Sequence, residues 1–177
     1  YPIHKAIMLV GEGSNGKSTL LNLMKDFLGK ENTTSIALQK ICSDRFTSAE
    51  LFGKMLNFFA DLTDIALTDT GMWKALTGND QICAEIKFKQ RQLNFTNYSK
   101  FAFSSNKIPE NKGDDSDAFW RRWIIIQCTQ IFDEDHNNVQ KDILNTMFST
   151  DAEKQAEFSA LLLHAILGLK RLLKNGK

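Results

Sequence analysis

At 177 residues the chain is long enough for one domain with a real core, and its 42% hydrophobic and 24% charged content is that of an ordinary globular protein. A net charge of +1 excludes polyanion binding by overall charge, so any nucleic-acid surface has to be a local patch. Cys42, Cys83 and Cys128 are odd in number and far apart, which argues against a disulfide framework and suits a reducing interior. No C-x-x-C occurs and His4, His136 and His164 are scattered, so no zinc site is expected. No signal peptide and no apolar run near 18 residues is present, so no transmembrane span is expected. The opening Tyr1-Pro2, without Met, is expected of a domain cut from something longer.

In chain order, Ile7–Val10 reads as a short buried strand. Lys17–Leu28 reads as a helix with Leu20, Leu21, Met24, Phe27 and Leu28 on one broad face and Gly29 as its stop. Thr47-Ser48-Ala49-Glu50 resembles a capping box before a short helix. Met55–Ala60 is a second apolar strand ending at Asp61, and Met72–Leu76 is a short helix introduced by Asp69-Thr70-Gly71 and stopped at Gly78. Ile82–Phe88 and Leu93–Tyr98 alternate loosely and suit a hairpin around Lys89-Gln90-Arg91. Phe101–Phe103 is a third core strand running into Ser104-Ser105-Asn106, Asp114–Asp117 an acidic loop, and Trp123–Cys128 a fourth core strand whose Ile124-Ile125-Ile126 reads as buried. Helices are expected over Val139–Phe148 and Ala152–Leu173. Strands alternating with helices, each strand ending at a polar residue, indicate an α/β domain whose ligand lies beyond the strands' carboxyl ends.

The stretch GEGSNGKST, residues 11–19, fits G-x-x-x-x-G-K-[ST] between the first strand and the first helix. Its glycines let successive N–H groups point at phosphate oxygens, and the helix aims its positive end at the same place. Gly11, Glu12, Gly13, Ser14, Asn15, Gly16, Lys17, Ser18 and Thr19 are therefore the candidate nucleotide loop, with Lys17 neutralising the β- and γ-phosphates and Ser18 ligating Mg²⁺. Asp61 is the candidate second acid, to hold Mg²⁺ through water and polarise the attacking water; Asp64 could share that role. Asn106-Lys107-Ile108-Pro109 invites comparison with the guanine-reading N-K-x-D, but proline replaces the base-reading aspartate, which excludes a GTPase. Asn106 is instead placed to touch the γ-phosphate or orient the lytic water.

Taken together, these segments resemble the superfamily 3 helicase domain, the AAA+-related ATPase of viral and plasmid replication proteins, and within it the phage and plasmid primase-helicase family. The resemblance runs in order through Asn15-Gly16-Lys17-Ser18, MLNFFAD, KALTGND, the basic EIKFKQRQLNF, FAFSSNKIP, DDSDAFWRR and the tail LLLHAILGLKRLLKNG. It departs at the second motif, where many members carry an acidic pair or a glutamate and here Asp61 precedes Leu62. The resemblance implies a phosphate-loop core sheet with flanking helices, a β-hairpin insertion and C-terminal helices. Residues 1–177 would be one ATPase domain with 130–177 as its C-terminal helical part, and a primase-polymerase domain would belong to the parent chain. ATP and Mg²⁺ are the implied cofactors, single-stranded or forked DNA the implied partner, and a ring, usually of six, the implied assembly. The implied setting is inside the host cell, at a site of viral, phage or plasmid replication.

Arg121 and Arg122 are the candidate arginines for stabilising charge on the transferring phosphoryl group, and the resemblance implies that they reach a neighbouring subunit's ATP; there is a slight preference for Arg122, and the other is expected to pair with Asp114, Asp115 or Asp117. Lys87, Lys89 and Arg91 on the hairpin are the candidate DNA contacts, while the aromatics interleaved with them are read mainly as core. Two other functions fit the nucleotide motifs: a small-molecule kinase, and a non-motor ATPase that loads or assembles partners.

Overall fold

The computed structural model describes residues 3–44, 46–63, 67, 70–87, 92–110, 116–132, 143–144 and 150–175. The chain divides into two compact units, Tyr1–Asp133 and Glu134–Lys177. The first holds β1 (Ala6–Val10), α1 (Lys17–Leu28), β2 (Thr33–Thr34), α2 (Leu38–Ser43), β3 (Leu56–Leu62) and α3 (Gly71–Gly78). It continues with β4 (Gln81–Glu85), β5 (Gln92–Thr96), β6 (Lys100–Ser105), α4 (Asp117–Trp120) and β7 (Trp123–Gln127). In the second unit, the helix α5 spans Asp151–Asn175.

Five parallel strands form one sheet in the order β2-β3-β6-β1-β7, and β4 pairs with β5 as a separate antiparallel hairpin. β1, inside the sheet between β6 and β7, is apolar throughout, AIMLV, because strands covered on both faces have no solvent side to make polar. Its residues alternate between two cores, as the period of a strand requires. Leu9 joins Leu21 of α1, Leu56 and Ala102, while Met8 and Val10 join the larger cluster with α2, α3 and the hairpin. That larger core is aromatic. Trp73 of α3 stacks on Trp123 with centroids 4.7 Å apart and an interplanar angle of 16°, and meets Phe101 edge-on at 4.9 Å. The hairpin adds Ile82, Ala84 and Phe95, whose alternation buries one face of β4 and β5.

Four expectations change. The strand through MLNFFAD does not end before Asp61. It runs to Leu62 with an irregular register between Phe59 and Leu62, and Asp61 takes φ 55° inside it. Thr47–Leu51 is a 3-10 turn with no side-chain cap rather than a capped helix, since Gly53 at φ 75° turns the chain away after one turn. Ile124, Ile125 and Ile126 are 45%, 37% and 44% exposed, because β7 is the outer strand of the sheet beyond β1. The last helix starts earlier and runs further than its apolar pattern suggested. Its start is a capping box: Glu153 N donates to Thr150 Oγ1 at 3.2 Å and Thr150 N to Glu153 Oε2 at 3.1 Å. Of the expected helix over 139–148, only Ile143 and Leu144 lie among the described residues, and both are helical.

Candidate functional site

The loop after β1 has the backbone its glycines permit. Gly13, Ser14 and Gly16 all take positive φ, at 109°, 43° and 74°, and α1 starts at once from Gly16. No acid lies in the first turn of α1, so its N-terminus keeps its full attraction for an anion. Lys17 is 5% exposed, and its ammonium donates to Gly11 O at 2.5 Å and Asn15 Oδ1 at 2.6 Å. Two of three donors thus hold the charge against the loop, and one remains for an oxygen ligand. Asn15 in turn donates from Nδ2 to Cys128 O at 2.8 Å. The segment after β7 braces the loop from outside: Cys128 N donates to Val10 O at 2.7 Å and Phe132 N to Ser14 O at 2.7 Å. In the sequence Cys128 reads only as core and 130–132 only as the start of the C-terminal helical part. Backbone donors and acceptors leave no signal in side-chain identity.

Glu12, Ser14, Ser18 and Thr19 are exposed around this loop, and Gly11 is half-buried. Ser18 opens the first turn of α1 beside Lys17, where a hydroxyl can reach an ion held against a phosphate. Asp61 and Asn106 are exposed at the same end of the sheet. Val10 pairs with Ser105, and Gly11 N donates to Ser105 O at 3.2 Å, so Asn106 begins where the loop begins, one strand over. Beyond it, Leu62 pairs with Ser105, which sets Asp61 two strands from β1, about 10 Å away at ordinary strand spacing. Ser104 and Ser105, both buried, shape this edge. Asp61 N donates to Ser104 Oγ at 3.3 Å and Ser105 Oγ to Leu62 O at 3.0 Å, so the two serines hold the irregularity that presents Asp61. The signal for them was a pair of small hydroxyls ending an apolar strand.

Among the described residues, no three His, Cys, Asp or Glu side chains gather to hold a metal. A divalent ion here would rely on Ser18, Asp61, phosphate oxygens and water, a donor set that suits Mg²⁺. Asp64, Asp114, Asp115, Lys89 and Arg91 lie outside the described residues. Lys87 is exposed just past β4. Tyr98 is 57% exposed, whereas Phe95 and Phe101 are buried in the core.

The arginines sit elsewhere. Ala6 N, at the start of β1, donates to Arg122 O at 2.8 Å, and Trp123 pairs with Ala6. Arg121 and Arg122 are therefore at the amino end of β1 and the loop at its carboxyl end, about 16 Å apart along five residues of strand. Arg121 is exposed. Arg122 is half-buried, donating from Nε to Thr77 Oγ1 at 2.9 Å, from Nη2 to Lys74 O at 3.5 Å and from Nη1 to Ala118 O. Those partners lie on α3 and α4.

A family model, the family of unknown function DUF5906, matches residues 9–122 of the chain. The chain belongs to the DUF5906 family. The matched stretch takes in the loop, Asp61, the hairpin, Asn106 and both arginines. A candidate helicase, L207/L206, of Acanthamoeba polyphaga mimivirus is 33% identical over 125 residues. That match covers 67% of this chain and 13% of the relative, so the chain spans about an eighth of that relative's length. The C-terminal region of NrS-1, in its A form without ligand, superposes with a TM-score of 0.66 at 18% identity, over 88% of this chain and 36% of that one. A second structure of that region, residues 305–718, superposes at 0.62 and 20% identity, over 85% and 34%. The fold, a mainly parallel five-stranded sheet with flanking helices and an antiparallel hairpin, is shared with these structures.

Proposed function

We propose that this DUF5906 chain is the motor domain of an ATP-dependent DNA helicase that translocates single-stranded DNA through a ring, as the resemblance to superfamily 3 implies. The mimivirus relative supports the helicase part of this reading, and the fold shared with NrS-1 is consistent with it. The ring rests on one observation. Arg121 is exposed at the amino end of β1 while the phosphate loop lies at its carboxyl end, so an arginine there serves a nucleotide only on a neighbouring subunit.

Bound ATP with Mg²⁺ would supply the phosphoryl group whose transfer to water releases the free energy used. The loop N–H groups and the N-terminus of α1 bind phosphate oxygens, and Lys17 neutralises them. Ser18, and Asp61 through water, would hold the divalent ion, and the Asp61 carboxylate would take the proton of the attacking water. The Asn106 amide orients that water, and Arg121 of the next subunit stabilises charge on the transferring group. Lys87, Lys89 and Arg91 track DNA phosphates from the hairpin. The reading sets this work in the host cell, wherever the parent replication protein acts, and a primase-polymerase domain in that parent remains part of the proposal.

Steady-state ATP hydrolysis measured against protein concentration, with and without single-stranded DNA, tests it. The expected result is a per-subunit rate that climbs with concentration and again with DNA. A rate stimulated by a nucleoside instead would establish the kinase, and a DNA-blind ATPase would establish the partner-loading module.

A further inference from the structure

The end of α3 is held from two sides by side chains distant in sequence. From one side comes Arg122, whose guanidinium donates to Thr77 Oγ1, to Lys74 O and to Ala118 O, joining α3 to α4. From the other comes buried Asn97, just past β5, whose Nδ2 donates to Leu76 O at 3.0 Å. Asn97 also donates to Ser99 O at 3.2 Å and accepts from Ser99 N at 3.2 Å, which fixes the exit of the hairpin. The entry of the hairpin is fixed by chain continuity, since α3 ends at Gly78, Asn79 closes it in the left-handed conformation at φ 71°, and β4 starts at Gln81. Both arms of the hairpin therefore hang from the last turn of α3. Carbonyls at a helix C-terminus lack intrahelical donors and carry the negative end of the helix dipole, so an amide and a guanidinium are the groups suited to bind them.

Arg121 and Arg122 are consecutive, and their roles separate. Arg121 is exposed and caps α4, while Arg122 points back into its own subunit. Thr77 Oγ1 donates to Trp73 O at 2.7 Å, which leaves its lone pairs for Arg122 Nε. One turn earlier on the same helix Trp73 stacks on Trp123, the residue after Arg122. Two polar contacts, to Thr77 Oγ1 and Lys74 O, and one aromatic contact thus tie the arginine pair to the helix that carries the hairpin.

We infer that Arg122 is a positioning residue which, through Thr77 and the end of α3, couples the arginine arm bearing Arg121 to the β4–β5 hairpin. The inference rests on the proposed function, which supplies the two ends being joined: a neighbour's nucleotide at Arg121 and DNA at the hairpin. Contact of Arg121 with that nucleotide shifts α4, Arg122 and α3 together, and the hairpin follows. DNA on the hairpin acts along the same chain in reverse, as reciprocal coupling requires. The lysine-to-glycine segment KALTG then has a physical meaning: Thr77 is the acceptor that Arg122 grips, and the Gly78 α-carbon faces the guanidinium without a side chain between them.

Removing the Thr77 oxygen is the test, because it takes away the shortest bond from Arg122 to α3 without touching loop, acid, arginine or hairpin. Thr77→Val keeps the shape, Thr77→Ala removes the oxygen without adding a second methyl, and Thr77→Ser keeps the oxygen. ATP turnover of the full chain with and without single-stranded DNA, DNA binding by anisotropy, and thermal melting are measured for all four proteins. The expected result is that Thr77→Val and Thr77→Ala keep DNA-free turnover and DNA affinity within about twofold and lose at least about fivefold in stimulation by DNA, the size of a typical coupling. Thr77→Ser retains the stimulation. Stimulation unchanged in both the valine and alanine variants, or lost equally in Thr77→Ser, overturns the coupling. A wild type that turns ATP over without responding to DNA overturns the helicase reading itself, before any variant is compared.

Discussion

Replacing Gly11 with alanine puts a methyl group where the loop has no room for one. Its Cβ would lie 2.1 Å from Asn15 Nδ2 and 2.4 Å from Cys128 O. The Asn15 side chain can swing aside. The Cys128 carbonyl cannot follow without straining the bond from Cys128 N to Val10 O, which holds the end of β7 to β1. Asn15 then loses Cys128 O, and Lys17 loses Asn15 Oδ1, one of its two acceptors. With about 0.5–1.5 kcal/mol for a neutral hydrogen bond and about 1.5–3 for a charged one, the loss is about 2–4.5 kcal/mol. For a chain of this size that lowers Tm by about 4–18 °C. Nucleotide affinity, titrated with a fluorescent ATP analogue, falls at least about tenfold, since the loop amides share one geometry and move together. Gly13→Ala separates crowding from strain, because no atom lies within 4 Å of its Cβ while its φ is 109°. It costs about 1–3 kcal/mol from backbone strain alone. A Gly11→Ala protein that melts within about 1 °C of wild type and binds nucleotide normally would refute the loop geometry.

Lys17→Ala removes the charge that the loop holds at its centre; turnover falls by about 10²–10³-fold or more while the circular dichroism of the fold is kept. Asp61→Asn keeps the shape of the β3 irregularity and the bond from its N–H to Ser104, so nucleotide binding persists while turnover falls about 10²–10⁴-fold, as for loss of a general base. Trp73→Ala empties the centre of the aromatic core, where the ring is 0% exposed and stacked on Trp123, and costs about 3–5 kcal/mol by urea unfolding.

How much of this was legible depended on whether the deciding interaction was local. The span of α1 follows from its apolar face, the loop before it and Gly29 after it, and all three are contiguous. The strand after Met55 was legible, but the irregularity at Asp61 was not, because it depends on Ser104 and Ser105, 43 residues away in each bond. T-x-x-E occurs at 47–50 and at 150–153, and only the second forms a capping box. After Glu50 the chain reaches Gly53 within three residues, whereas after Glu153 it can propagate a long helix. The run Ile124-Ile125-Ile126 is apolar enough for any strand, and only the strand order makes it an outer one. The two arginines look equivalent in sequence. They are told apart by Thr77, 45 residues before Arg122, which fixes one and leaves the other exposed.

Mixing two inactive variants tests the central claim, that the loop of one subunit is completed by Arg121 of another. Lys17→Ala and Arg121→Ala are purified, each shown to lack ATP turnover, and combined in equal amounts with single-stranded DNA. Random pairing joins an intact loop to an intact arginine at about a quarter of the interfaces, so turnover returns to about a quarter of the wild-type rate if sites act independently. A mixture as inactive as its components, under conditions where wild-type subunits assemble and exchange, would contradict the account.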